Sequence, residues 1–167
     1  AYLQSPDGKA PLAPRVTGVW KIDGALEGEA LKVRGVTGGR TSGQSMTSFK
    51  ASRWSGNDHL FWTGGKPGDT LTLALPITEK GLYQLTFVCT KAHDYGRFEL
   101  RLDGKLLTDR GLDLYNPKEV VTTGELDGGR HELTAGEHKL EVKILTPNPL
   151  ATPQNMFGLD YLKIEKK

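Results

Sequence analysis

The chain is poor in the residues that would make a cross-linked, metal-clustered or membrane-spanning protein. Its single cysteine, Cys89, excludes an internal disulfide and any zinc site built from several thiolates. No apolar stretch approaches the ~20 residues a helix needs to cross a bilayer, which argues against membrane insertion. No secretory leader pattern opens the chain. Charge of one sign is also missing: Lys and Arg are dispersed and the formal net charge is only +2, so there is no basic footprint for nucleic acid. Helix signals are lacking too, since no segment combines a sustained helical period with caps at both ends.

Glycine and the short apolar run are what the chain has instead. Its 167 residues hold 21 Gly and 9 Pro, and much of the Gly punctuates apolar runs at regular spacing, the profile of an all-β domain. A single domain near this length hides about 68–70% of its unfolded surface, enough for one substantial core. The opening carries Pro6, Pro11 and Pro14 with no periodicity. It reads as a linker or surface arm over residues 1–18, ahead of a β-sandwich over 19–167. The chain is then an intracellular protein or a mature or excised piece, and the arm favours a module cut from a longer chain.

Alternation places the strands. Val19-Trp20-Lys21-Ile22 predicts a short strand leading into a second over Leu26 to Val33, and Gly35, Gly38, Gly39 and Gly43 predict a long turn before Met46 to Phe49. Leu71, Leu73 and Leu75 alternate with polar or small residues until Pro76 stops the ladder. Tyr83, Leu85, Phe87 and Cys89 share one strand face, which makes Cys89 a buried, inert thiol. Phe98, Leu100 and Leu102 end at Asp103-Gly104, a strong hairpin signal. Short strands are expected at Val120 to Thr123 and His131 to Leu133, then an alternating one from His138 to Leu145, and a proline-rich loop from Thr146 to Met156. Roughly nine to eleven strands in two antiparallel sheets result, an all-β jelly roll.

The two ends of the chain share acidic strands. Glu27 and Glu29, two residues apart on a strand, point the same way, and a terminal strand bearing Asp160 can pair beside them. Three carboxylates converging there need a cation.

Five stretches in this order resemble the galactose-binding-like jelly rolls that serve as carbohydrate-binding modules, particularly families six, thirty-five and thirty-six. They are Glu27-Gly28-Glu29, Pro76 to Tyr83, Leu102-Asp103-Gly104, Ala135-Gly136-Glu137-His138 and Leu159-Asp160-Tyr161, and the likeness covers Leu26 to Ile164. The runs Thr90 to Gly96 and Asp113 to Pro117 bear a closer likeness to the accessory β-sandwich of secreted, planctomycete-type glycoside hydrolases of family one hundred and seventy-two. The resemblance implies a secreted or periplasmic setting, neighbouring domains in a parent chain, a glycan or polysaccharide partner, and a structural calcium held by Glu27, Glu29 and Asp160.

It also implies sugar stacking on loop aromatics, with amides and guanidinium groups reading hydroxyls. Trp54 with Asn57, Tyr95 with Arg97, and Tyr115 occupy such loops, and Asn148 and Asn155 lie in the long loop where an amide ligand resides. Each aromatic has a structural alternative: Trp54 packing over the Gly-rich turn, or Tyr95 locking its turn through the hydroxyl. Trp20 and Trp62 read as arm-packing or core residues.

Catalysis has thin support. The four His residues lack metal-ligand spacing, and no nucleophile-elbow, zinc-protease or phosphate-cradling motif occurs. The adjacent pairs Asp58-His59 and His93-Asp94 read as surface polar groups. The leading expectation is a non-catalytic carbohydrate-binding module. A structural or interaction module without its own ligand is the first alternative, and a small glycoside hydrolase or lyase the second.

Overall fold

The computed structural model describes residues 20–167. The strands are β1 (Ala25–Glu27), β2 (Lys32–Val36), β3 (Arg40–Ser45), β4 (Asp58–Thr63), β5 (Thr70–Ile77), β6 (Gly81–Lys91), β7 (Arg97–Leu102), β8 (Lys105–Leu106), β9 (Leu112–Asp113), β10 (Val121–Thr122), β11 (Leu126–Leu133), β12 (Gly136–Leu145) and β13 (Phe157–Lys166). One sheet has the order β10-β6-β13-β4-β3, with β1 also on β13 and β11 also on β6. The other runs β2-β5-β12-β7-β8, with β9 also on β7. Pairing between these strands is antiparallel throughout, so the fold is the expected two-sheet jelly-roll sandwich. No helix of the described residues is long and apolar enough to cross a membrane.

Alternation builds the core. Leu140 lies between Leu73 and Leu102, and Val142 between Leu71 and Leu100, so the inner face of the second sheet is a continuous aliphatic layer. Leu60, Trp62, Leu85, Phe87, Cys89, Phe157 and Leu159 face it from the first sheet in the same buried cluster. Phe98 joins the layers, with its ring 5.0 Å from Phe157 and 6.5 Å from Trp62. Burial drives the Cys89 thiol's pKa far upward, which makes it inert as expected.

Several expectations are corrected. Trp20 to Ile22 form no strand, and Val19, like the expected arm, lies outside the described residues. The strand expected over Leu26 to Val33 is broken by a 3-10 turn at Gly28–Ala30. A Cβ at Gly28 would strike the Leu159 carbonyl, so glycine lets the chain bend tightly against β13. The Gly-rich stretch is not one long turn: it holds β3, whose partner is β4, while Met46 to Phe49 form no strand. Pro76 stays within β5, opposite Glu137. Pairing with β2 has ended by Lys32↔Ala74, so the missing N–H interrupts no ladder there. Thirteen strands replace the expected nine to eleven among the described residues, because β8, β9 and β10 are two-residue pieces at loop ends.

Candidate functional site

The two ends do meet. β1 pairs antiparallel with β13, placing Glu27 opposite Tyr161. Glu27 and Glu29 do not share a strand face by alternation, since Glu29 lies in the 3-10 turn. Asp160 is the extra residue of a bulge: Leu159 pairs with Cys89 while Tyr161 pairs with the adjacent Val88. A bulge re-aims the side chain it carries. The Asp160 carboxylate is fully buried and accepts the Ser55 N–H at 3.0 and 3.3 Å. The Ser55 hydroxyl donates to Glu27 Oε2 at 2.7 Å and accepts the Ile22 N–H.

Charge is poorly compensated here. Burial first, and then the charges of Glu27 and Glu29, push the Asp160 carboxyl up to about 8 against the lowering effect of the Ser55 hydrogen bond. Burial, then Glu27 and Asp58, raise Glu29 despite a backbone hydrogen bond and Lys21. Glu27 Oε1 and Glu29 Oε1 are buried without hydrogen-bond partners. Orphaned carboxylate oxygens beside a buried aspartate fit a hard cation, which takes 6–8 oxygen ligands from carboxylates, carbonyls and water. Among the described residues no three His, Cys, Asp or Glu side chains form a ready-made metal cage, so further oxygens and side-chain adjustment belong to any such site.

A second buried polar cluster lies on the outer face of the same sheet. Leu60 and Trp62 point into the core, so His59 and Phe61 point the other way. His59 is nonetheless fully buried, which corrects its reading as a surface group. Its Nδ1 lies 2.8 Å from Thr90 Oγ1 and its Nε2 lies 2.6 Å from Gln44 Oε1. Trp54 Nε1 donates to the same Thr90 oxygen at 2.9 Å. Register explains the assembly, because β3 sets Gln44 opposite His59. Gly158 leaves the space that His59 fills, since a Cβ there would meet the imidazole and Thr90. Burial lowers the His59 pKa to about 4, which keeps the ring neutral.

Beside this cluster lies an open groove of about 310 Å³. Its walls include Gln44, Phe49, Phe61, His93, Asp94 and Tyr95. Phe61 is half-buried, its ring near-parallel to those of His59, 5.6 Å away, and Tyr95, 6.4 Å away. Burial, and then the nearby Asp94 carboxylate, raise the Tyr95 hydroxyl's pKa. An aromatic surface bordered by an amide, an imidazole and a carboxylate can stack an apolar ring face and hydrogen-bond its hydroxyls.

The residues expected to bind sugar do not form one cluster. Trp54 and Tyr95 are only 2% and 4% exposed, which corrects their reading as open stacking faces. Trp54 is instead tethered to Thr90 and packed 6.3 Å from Phe49, while Tyr95 backs Phe61. Asn57 takes a left-handed backbone and lines a neighbouring cavity with Trp54, Phe49 and Arg53. Arg97 donates to the carbonyls of Thr146 and Arg110, and Asn148 to Asp113, so these are loop ties elsewhere. Tyr115 is half-buried and bridges to Ala92. Asn155 is buried with Oδ1 unpartnered. Trp62 is core, as expected, and Trp20 is half-buried under Arg53. Gln44, Phe49 and Phe61 were missed as groove residues. Only Phe61 carried a signal, an aromatic on the polar face of an alternating strand.

No family model and no curated protein sequence matches the chain. Solved structures do. A xanthan lyase from Paenibacillus superposes with a TM-score of 0.72 at 18% identity over 95% of this chain, which spans 15% of the lyase's length. A family 35 carbohydrate-binding module from an environmental isolate superposes with a TM-score of 0.50 at 13% identity, covering 86% of this chain and 93% of the module. This is the jelly-roll fold of carbohydrate-binding modules. A β-(1,4)-mannanase from Podospora anserina described as GH26-CBM35 has the same TM-score at 15% identity, over 86% of this chain and 27% of the enzyme. At these identities the likeness concerns the fold, and the chemistry rests on the residues.

Proposed function

We propose that this chain is a non-catalytic module that binds a glycan in the Phe61 groove, while calcium at Glu27, Glu29 and Asp160 holds the seam between the chain ends. The observation that carries the first part is the Phe61 ring, partly exposed on a sheet face and flanked by the near-parallel rings of His59 and Tyr95. A preorganised aromatic surface costs little ordering when a pyranose stacks on it. The unpartnered buried oxygens of Glu27 and Glu29 support the second part, and Asp160 would supply the third carboxylate. Calcium there neutralises buried charge and performs no chemistry on the glycan.

The setting we propose is secreted, within a larger carbohydrate-active protein such as the family one hundred and seventy-two hydrolases that two of its runs resemble. A module that spans so small a share of the lyase it superposes on also supports the alternative of an interaction module packed on neighbouring domains. Pull-down of the chain on insoluble polysaccharides, with calcium and again with chelator, separates these readings. The expected result is retention on a polysaccharide class that F61A lowers at least tenfold while its melting curve still shows a folded protein. Retention unchanged by F61A overturns the groove assignment. No retention of the wild type on any polysaccharide transfers the reading to the interaction module.

A further inference from the structure

The polar cluster behind the groove has a direction. Indole N–H is a donor only, so the Thr90 oxygen must accept from Trp54. The Thr90 hydroxyl proton is then free to point along its other contact, to His59 Nδ1, and that hydroxyl makes no third hydrogen bond among the described residues. A neutral imidazole that accepts at Nδ1 carries its proton on Nε2. That proton meets Gln44 Oε1 at 2.6 Å, and burial of the ring keeps it neutral. The opposite sense would leave the Thr90 hydroxyl proton without an acceptor and aim the Nε2 lone pair at the amide oxygen, an arrangement that a buried site penalises.

We propose that Trp54, Thr90 and His59 form a one-way hydrogen-bond relay that fixes the Gln44 amide with its oxygen inward and its NH2 toward the groove, making Gln44 the donor that reads an acceptor oxygen of a neutral pyranose stacked on Phe61. This rests on the groove reading above. Gln44 Nε2 has no protein partner among the described residues, and the residue lines the groove. Asp94, which also lines the groove, accepts from hydroxyls and repels carboxylates, while no Lys or Arg lines the groove. Beside the His93 imidazole, the surface therefore offers the Gln44 amide as a neutral donor and Asp94 as an anionic acceptor, a match for a vicinal diol and a poor one for a uronate. His59 and Thr90 are positioning residues that touch no ligand.

Two measurements test this. Imidazole 15N spectra of the wild-type chain should show His59 as the Nε2–H tautomer, kept in T90S and lost or mixed in T90V. An Nδ1–H tautomer in the wild type overturns the relay whether or not any sugar binds. Titrations with cellohexaose, mannohexaose and laminarihexaose against polygalacturonate should show binding to a neutral oligomer. Q44E keeps the acceptor for His59 but lacks the donor pair, and should weaken that binding about tenfold. Preference for polygalacturonate, or Q44E binding as tightly as wild type, overturns the assignment to Gln44. If no sugar binds the wild type, the groove reading and the ligand part fall together, and the spectra still decide the relay.

Discussion

His59 shows how a single residue's meaning depends on its surroundings. Its sequence neighbour Asp58 suggests a polar surface pair, yet the ring is buried between Thr90 and Gln44 and stacked on Phe61. Its folded pKa, about 4, lies below the ordinary value of 6.5. The unfolded chain therefore takes up a proton first as pH falls. The stability that the neutral ring contributes is complete above about pH 6.5 and is lost as pH falls through about 4. H59Q should be less stable than wild type at pH 7, and that difference should shrink by roughly 3 kcal/mol between pH 6.5 and 4. Urea unfolding of both proteins across this range measures it. Taking the difference cancels the other titrating groups, Asp160 among them, and a difference constant with pH would remove His59 as the responsible group.

At the scale of elements, the seam between β1 and β13 carries the next prediction. Gly28 and the bulge at Asp160 are complementary irregularities: one lets the chain turn tightly over Leu159, and the other directs a carboxylate into the space beside Glu27 and Ser55. A cation bound only by the native state stabilises it by mass action, about 2.7 kcal/mol at a hundred times its Kd. For a domain of this size that corresponds to a melting shift of about 5–10 °C. Calorimetric scans should show calcium raising Tm and chelator reversing the rise. D160N should not respond to calcium, and it should melt at or above chelated wild type, because the amide is neutral without the proton uptake that burial and the Glu27 and Glu29 charges impose on the Asp160 carboxyl. A calcium response that survives D160N would exclude Asp160 as a ligand.

At the scale of the molecule, the described residues form one sandwich around a single core, with the groove on the outer face of one sheet and the acid seam at the β1–β13 pairing. An open groove with few desolvated contacts should bind one sugar chain modestly. Two copies joined by a flexible linker should then be retained on an insoluble polysaccharide about 10²-fold better than one, provided the linker spans adjacent sites. Depletion isotherms of the single and tandem proteins measure this. Equal retention would mean that the groove does not engage a repeating polymer.

Much of the fold was legible because local chemistry decides it. The alternation of Leu71-Leu73-Leu75, Phe98-Leu100-Leu102 and Leu140-Val142-Ile144 already names the inner layer. Asp103-Gly104 names its hairpin, since both residues adopt the left-handed backbone that a two-residue turn requires. The acidic residues near both ends likewise announced a meeting of charges. Tertiary structure alone decided the bulge that turns Asp160 inward, the burial of Trp54 and Tyr95, and the line from Trp54 through Thr90 and His59 to Gln44. The physical reason is register. Residues 15 to 105 positions apart in the chain become hydrogen-bond partners only when particular strands and loops pair, and a one-residue bulge changes which side chains meet.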